Sequence, residues 1–129
     1  MAVLYFASGY AYSCNIGDSR TYRLRDGVFQ QLSVDHIEKR PAGKAPLTQY
    51  LGIDPMEMQI EPYIAKGRVE RDDVYLLCSD GLTDMLTNFT IANILLNNPS
   101  PEKSVESLIR AALEQGGRDN ITAIVCKIR

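Results

Sequence analysis

Three acidic turns stand at the ends of apolar stretches: Gly17-Asp18, Asp80-Gly81 and Gly117-Arg118-Asp119. The best defined follows Val74 to Cys78, a short apolar run bounded by charged and turn residues, the pattern of a buried strand. The run stops at Ser79-Asp80-Gly81, where Asp and Gly favour a turn. A second carboxylate, Asp84, lies four residues on. If the intervening segment is helical, Asp80 and Asp84 sit within one turn and face a common point. Carboxylates converging at strand ends are what a hard divalent cation needs. Asp80 can as readily cap the following helix, with Asp84 solvated, since Asp and Gly are common in turns. No EF-hand spacing fits these residues. His36 is the only histidine, which excludes His-rich transition-metal sites and multi-His zinc hydrolases and leaves oxygen ligands suited to Mg²⁺ or Mn²⁺. His36 itself reads as a loop residue that hydrogen-bonds locally.

The elements that must position these turns are short. Ala2 to Ala7 and Tyr10 to Ile16 are apolar and β-prone, with Ser8-Gly9 as a tight turn between them. Arg20 to Arg25 alternates, Asp26-Gly27 is a strong hairpin signal, and Val28 to Leu32 returns as a partner. The first 32 residues therefore read as an antiparallel meander. Ser33 to Pro46 reads as a loop, and Leu47 to Leu51 as one helical turn stopped at Gly52. Met56 to Ile64 alternates in period two, with Pro62 marking an edge strand. Thr87 caps a helix reaching Asn97, which Asn97-Asn98-Pro99 ends. Ser100-Pro101-Glu102 opens another, whose Val105, Leu108, Ile109, Ala112 and Leu113 form a core-facing stripe. Gly116-Gly117 stops that helix, and Ile121 to Ile128 is the last strand.

The length of 129 residues fits one domain. With 45% hydrophobic and 23% charged residues, the composition is that of an ordinary globular protein. A net charge of −2 and a pI of about 5.4 supply no basic stripe for nucleic acid or an anionic membrane. No apolar run is long enough to span a bilayer, and Met1 to Ala7 has no basic region of a signal peptide. Cys14, Cys78 and Cys126 are far apart and lack zinc-ligand spacing. They read as reduced thiols in a cytoplasmic protein.

Taken together, the motifs resemble a known family. Asn15-Ile16-Gly17-Asp18-Ser19-Arg20, Leu32-Ser33-Val34-Asp35-His36, Leu47 to Gly52, Leu76 to Asp84 and Gly116 to Thr122 match, in order and spacing, the second half of the metal-dependent serine/threonine protein phosphatases of type 2C. The resemblance implies an α+β fold, an antiparallel β-sandwich flanked by helices (α/β/β/α), here incomplete. Residues 1–129 would form the C-terminal portion of that domain. It also implies a dinuclear Mg²⁺ or Mn²⁺ centre whose bridging hydroxide hydrolyses phosphoserine or phosphothreonine in protein substrates. By motif, Asp80 and Asp119 match two ligands of that centre. Asp18 and Asp84, with Asp80, match a third, weaker metal site. Gly17, Gly81 and Asn120 support these turns, Asn120 by orienting Asp119.

The family's first half carries a phosphate-binding Arg, a Glu-Asp pair, an Asp-Gly-His-Gly-type metal motif and a general-acid His, and none is present here. Only ten residues, 37–46, separate His36 from Leu47, which leaves no room for the helical flap of bacterial members. The resemblance thus implies a chain inactive by itself, paired with the missing N-terminal half or self-associated through its exposed sheet. The alternative is a non-catalytic, phosphatase-like interaction module.

Overall fold

The computed structural model describes residues 1–39, 45–98 and 100–129. Its elements run β1 (Ala2–Ala7), β2 (Tyr10–Asn15), β3 (Arg20–Arg25), β4 (Val28–Gln31), β5 (Tyr63–Arg68), β6 (Val74–Cys78), α1 (Asp80–Thr83), α2 (Asn88–Asn97), α3 (Pro101–Glu114) and β7 (Ala123–Lys127). They build two antiparallel sheets, one ordered β1-β2-β5 and the other β4-β3-β6-β7.

The two hairpin turns fall where the sequence places them. Asp26 and Gly27 both take positive φ, as do Ser8 and Gly9, the geometry that matches strand twist in two-residue turns. The expected meander is instead two hairpins in two sheets. β1 pairs with β2, β3 pairs with β4, and β2 turns to β5 while β3 turns to β6. The chain changes sheet in the Ile16–Ser19 turn, so the first acidic turn is also the corner of the sandwich.

Three further expectations are corrected. Leu47 to Leu51 forms no helix; Leu47 makes an isolated bridge with Ile37. The edge strand begins at Tyr63, not Met56, because Asp54 folds the preceding segment into a turn. Its carboxylate accepts from Met56 N at 2.8 Å, and its carbonyl accepts from Glu57 N at 2.9 Å. The last strand is shorter than expected, starting at Ala123. The part of the Ser33–Pro46 loop at 40–44, and Pro99 after α2, lie outside the described residues.

The helices behave as their caps dictate. The hydroxyl of Thr87 accepts from Thr90 N, that of Ser100 from Lys103 N, and Pro101 takes the first turn of α3. Their apolar faces cover one face of the four-stranded sheet. Tyr22, Leu24, Leu76 and Cys78 meet Leu82, Ile91, Leu95 and Leu108 there, all at most 5% exposed. The other face of that sheet meets the three-stranded sheet, with Phe6 edge-on to Tyr75 at a 5.3 Å centroid distance. Helices flank only one of the two sheets among the described residues.

Candidate metal-binding cleft

At one end of the sandwich, the corner after β2, the β6–α1 turn and the turn before β7 open onto a cleft of about 760 Å³. Asp18, Asp80, Asp84 and Asp119 all line it, so the four carboxylates picked out by their turns come to one place. None of the four is without a partner. Arg20, Asp35, Glu38 and Arg118 line it too.

Each wall has its own structural cause. Asp80 opens α1, with Ser79 at the N-cap position. Asp84 N donates to Asp80 O at 2.7 Å, which places both acids on one tight turn. Gly81 is what lets this turn reach the next. A Cβ built there would stand 2.3 Å from Asn120 O and 3.0 Å from Asn120 C, so only glycine admits the Asp119-Asn120 backbone. Ser79 staples the two turns. Its hydroxyl donates to Asn120 O at 3.1 Å and accepts from Thr122 N at 3.0 Å, and its amide donates to Thr122 O at 3.1 Å. Asp119 Oδ1 accepts from Asn120 N at 2.8 Å, a bond to the backbone of Asn120 and not to its side chain.

The Asp18 wall rests on polar groups that the sequence motifs contain without announcing their roles. Gly17 takes φ +92°, which turns the chain toward the cleft. Asn15, 1% exposed, donates its side-chain amide to Val34 O at 2.7 Å. His36 does not bond locally. Its Nδ1 accepts from Gly17 N at 3.2 Å and its amide donates to Gly17 O at 3.0 Å, across 19 residues of chain. Arg20 holds Asp35 in a bidentate pair, Nε to Oδ1 at 3.0 Å and Nη2 to Oδ2 at 2.6 Å. That bonding raises the Arg20 pKa further above its ordinary range, against the opposing effect of burial. An Asn closing an apolar strand, and an Arg after a Gly-Asp corner, are the signals that could have flagged this clamp.

Carboxylate oxygens suit Mg²⁺ or Mn²⁺ in kind. In number they do not close a site. Among the described residues, no three His, Cys, Asp or Glu side chains come close enough to hold an ion. The cleft thus gathers acidic side chains on its walls without closing them round an ion. The three cysteines play no part. They are free, and burial pushes the Cys78 thiol up to about 12.

No protein-family model matches the chain. Among curated proteins it is 32% identical over 139 aligned residues to the serine/threonine protein phosphatase PstP of Mycobacterium tuberculosis, covering 99% of this chain and 27% of that one. PppA of Pseudomonas aeruginosa shares the fold at a TM-score of 0.86 with 34% identity, over 96% of this chain and 54% of the other. The catalytic domain of PstP in complex with two manganese ions matches at 0.77 with 29% identity, over 99% and 58%. In sequence and in fold, the chain is a homologue of part of the serine/threonine protein phosphatases of type 2C, spanning little more than half of the solved chains it matches.

Proposed function

We propose that residues 1–129 are the C-terminal portion of a type 2C catalytic domain, which hydrolyses phosphoserine and phosphothreonine monoesters in proteins with Mg²⁺ or Mn²⁺. The observation that carries this reading is the contact of Gly81 with Asn120, which brings the Asp80 and Asp119 turns onto one cleft. Asp80 and Asp119 would hold the dinuclear centre, whose cations supply the attacking water and neutralise developing charge. Asp18 and Asp84, with Asp80, are the motif positions of a weaker third ion, which would need further donors to close, since the three carboxylates do not by themselves gather closely enough to hold one. Gly17, Gly81 and Asn120 shape the backbone beneath them, and the Arg20–Asp35 pair with His36 fixes the Asp18 corner.

The chain by itself is inactive in this reading, because two carboxylates cannot ligate two cations and repel each other without them. Three free thiols accord with a reducing cytoplasm, and no helix among the described residues is long and apolar enough to cross a membrane. The test is turnover of p-nitrophenyl phosphate with Mn²⁺. The isolated chain is expected to show none. A chimera joining it to the part of PppA outside the match is expected to be active and to lose activity with Asp119→Asn. Robust turnover by the isolated chain, abolished by Asp80→Asn, would overturn the inactivity. A folded chimera indifferent to Asp119→Asn would overturn the ligand assignment.

A further inference from the structure

The layer between the two sheets is polar on the side of the edge strands β4 and β5. Alternation along β3 sends Tyr22 and Leu24 to the helices and Arg23 between the sheets. There, residues of β2, β3, β4 and β5 enclose a cavity of about 280 Å³. At about 30 Å³ for each water, that is room for several waters or for one small hydrated ion. Ser13, Arg23, Gln30 and Gln31 line it, with Lys66 beside them, and no lining residue is acidic.

Arg23 reaches across the gap from β3. Its Nη1 lies against Gly67 of β5, where a Cβ would stand 3.7 Å away, and its Nη2 donates to Gln30 Oε1 at 3.0 Å. Its Nε is shielded from solvent and has no hydrogen-bond partner among the described residues. The same holds for the hydroxyl of Ser13, a residue 4% exposed on the wall of the same cavity. Among the described residues Arg23 forms no ion pair, whereas Arg20 holds Asp35 and Arg25 holds Asp73 and Glu70. A guanidinium drawn out of water is costly unless an anion pairs with it. Water can satisfy a hydroxyl, but it leaves that charge unbalanced. The arginine fork takes two oxygens of a carboxylate or a phosphate at once, and Ser13 adds a further donor.

We propose that this cavity binds a small oxyanion, phosphate or carboxylate, between Arg23 and Ser13. It is a different place from the acidic cleft, with which it shares no lining residue. The two are neighbours through one side chain, since Gln31 Nε2 donates to Asp35 Oδ1 at 3.0 Å. The site does not depend on the phosphatase reading, because none of its residues belongs to the acidic turns.

The test follows the arginine Nε–Hε resonances of this chain by NMR as inorganic phosphate or acetate is added, against sodium chloride at matched ionic strength. The Arg23 resonance is expected to shift and saturate with at least one of the two, and the one that saturates it identifies the anion. Arg23→Gln should weaken binding about tenfold or more and Ser13→Ala about fivefold, the scale of one charged and one neutral hydrogen bond. Arg118→Gln, which removes a cation from the acidic cleft, should leave the affinity within about twofold. Circular dichroism checks that each variant folds, and the resonance of the parent needs no variant. An Arg23 resonance that moves no further with phosphate or acetate than with chloride would overturn the inference. So would binding that Arg118→Gln abolishes and Arg23→Gln spares.

Discussion

Gly81→Ala is the sharpest perturbation the geometry offers. The new methyl would stand 2.3 Å from Asn120 O and 3.0 Å from Asn120 C, both backbone atoms that cannot rotate away. Ordinary contact begins near 3.4 Å, so the Asp119-Asn120 turn must retreat by about 1 Å. Overpacking of this kind costs about 1–3 kcal/mol. The same retreat stretches the three Ser79 hydrogen bonds, now 3.0–3.1 Å, toward lengths at which they fail. Each contributes about 1 kcal/mol net. Against this, Ala is favoured over Gly within a helix by at most about 1 kcal/mol. The balance is a loss of about 3 kcal/mol, which in a domain of this size lowers Tm by about 10 °C. Urea unfolding measures it, with an unchanged m-value confirming that the loss is one of stability. Amide exchange at Ser79 and Thr122 reports on the staple. A variant as stable as the parent, with those amides equally protected, would refute the close approach and with it the juxtaposition of Asp80 and Asp119.

Three further outcomes are expected. Asp73 is fully buried; burial pushes its pKa up, but hydrogen bonds from Arg25, Glu70 N and Tyr75 outweigh this and leave it below the ordinary 3.8. Its contribution to stability is therefore present above pH 3.8 and lost as pH falls through the lower folded value, and acid unfolding of Asp73→Asn should lack that component. Cys78, with its thiol pushed up to about 12, should resist iodoacetamide at pH 8 while the half-buried Cys14 and Cys126 react, as peptide mapping would show. The isolated chain should bind Mn²⁺ no tighter than about millimolar by calorimetry, since few carboxylates and no closed cage ligate the ion. Asp84→Ala should remove what binding there is.

Local signals carried far in this chain. Hairpin turns, helix caps and the α3 stripe could be read because each depends on residues a few positions apart. The acidic turns could be read for the same reason, as Gly and Asp at strand ends. The partition of strands between sheets could not, because it depends on pairings far apart in the chain, as at the Gly17 corner, which His36 bonds across 19 residues. Met56 to Glu61 misled because its alternation is real while Asp54 spends the backbone amides on a turn. The Arg20–Asp35 clamp and the Gly81–Asn120 contact were likewise hidden, since both are pairings across the fold.

The acidic cleft and a free edge of the sheet meet at one turn. Strands β6 and β7 deliver Asp80 and Asp119 to the same end of one sheet, held there by the Ser79 staple. That sheet has two free edges, β4 and β7, and β7 is the one that follows the Asp119 turn. A strand laid on the β7 edge would end next to Asp119, where the donor set among the described residues falls short of closing round an ion. The free edge of the sheet is thus continuous with the place where the cleft lacks ligands.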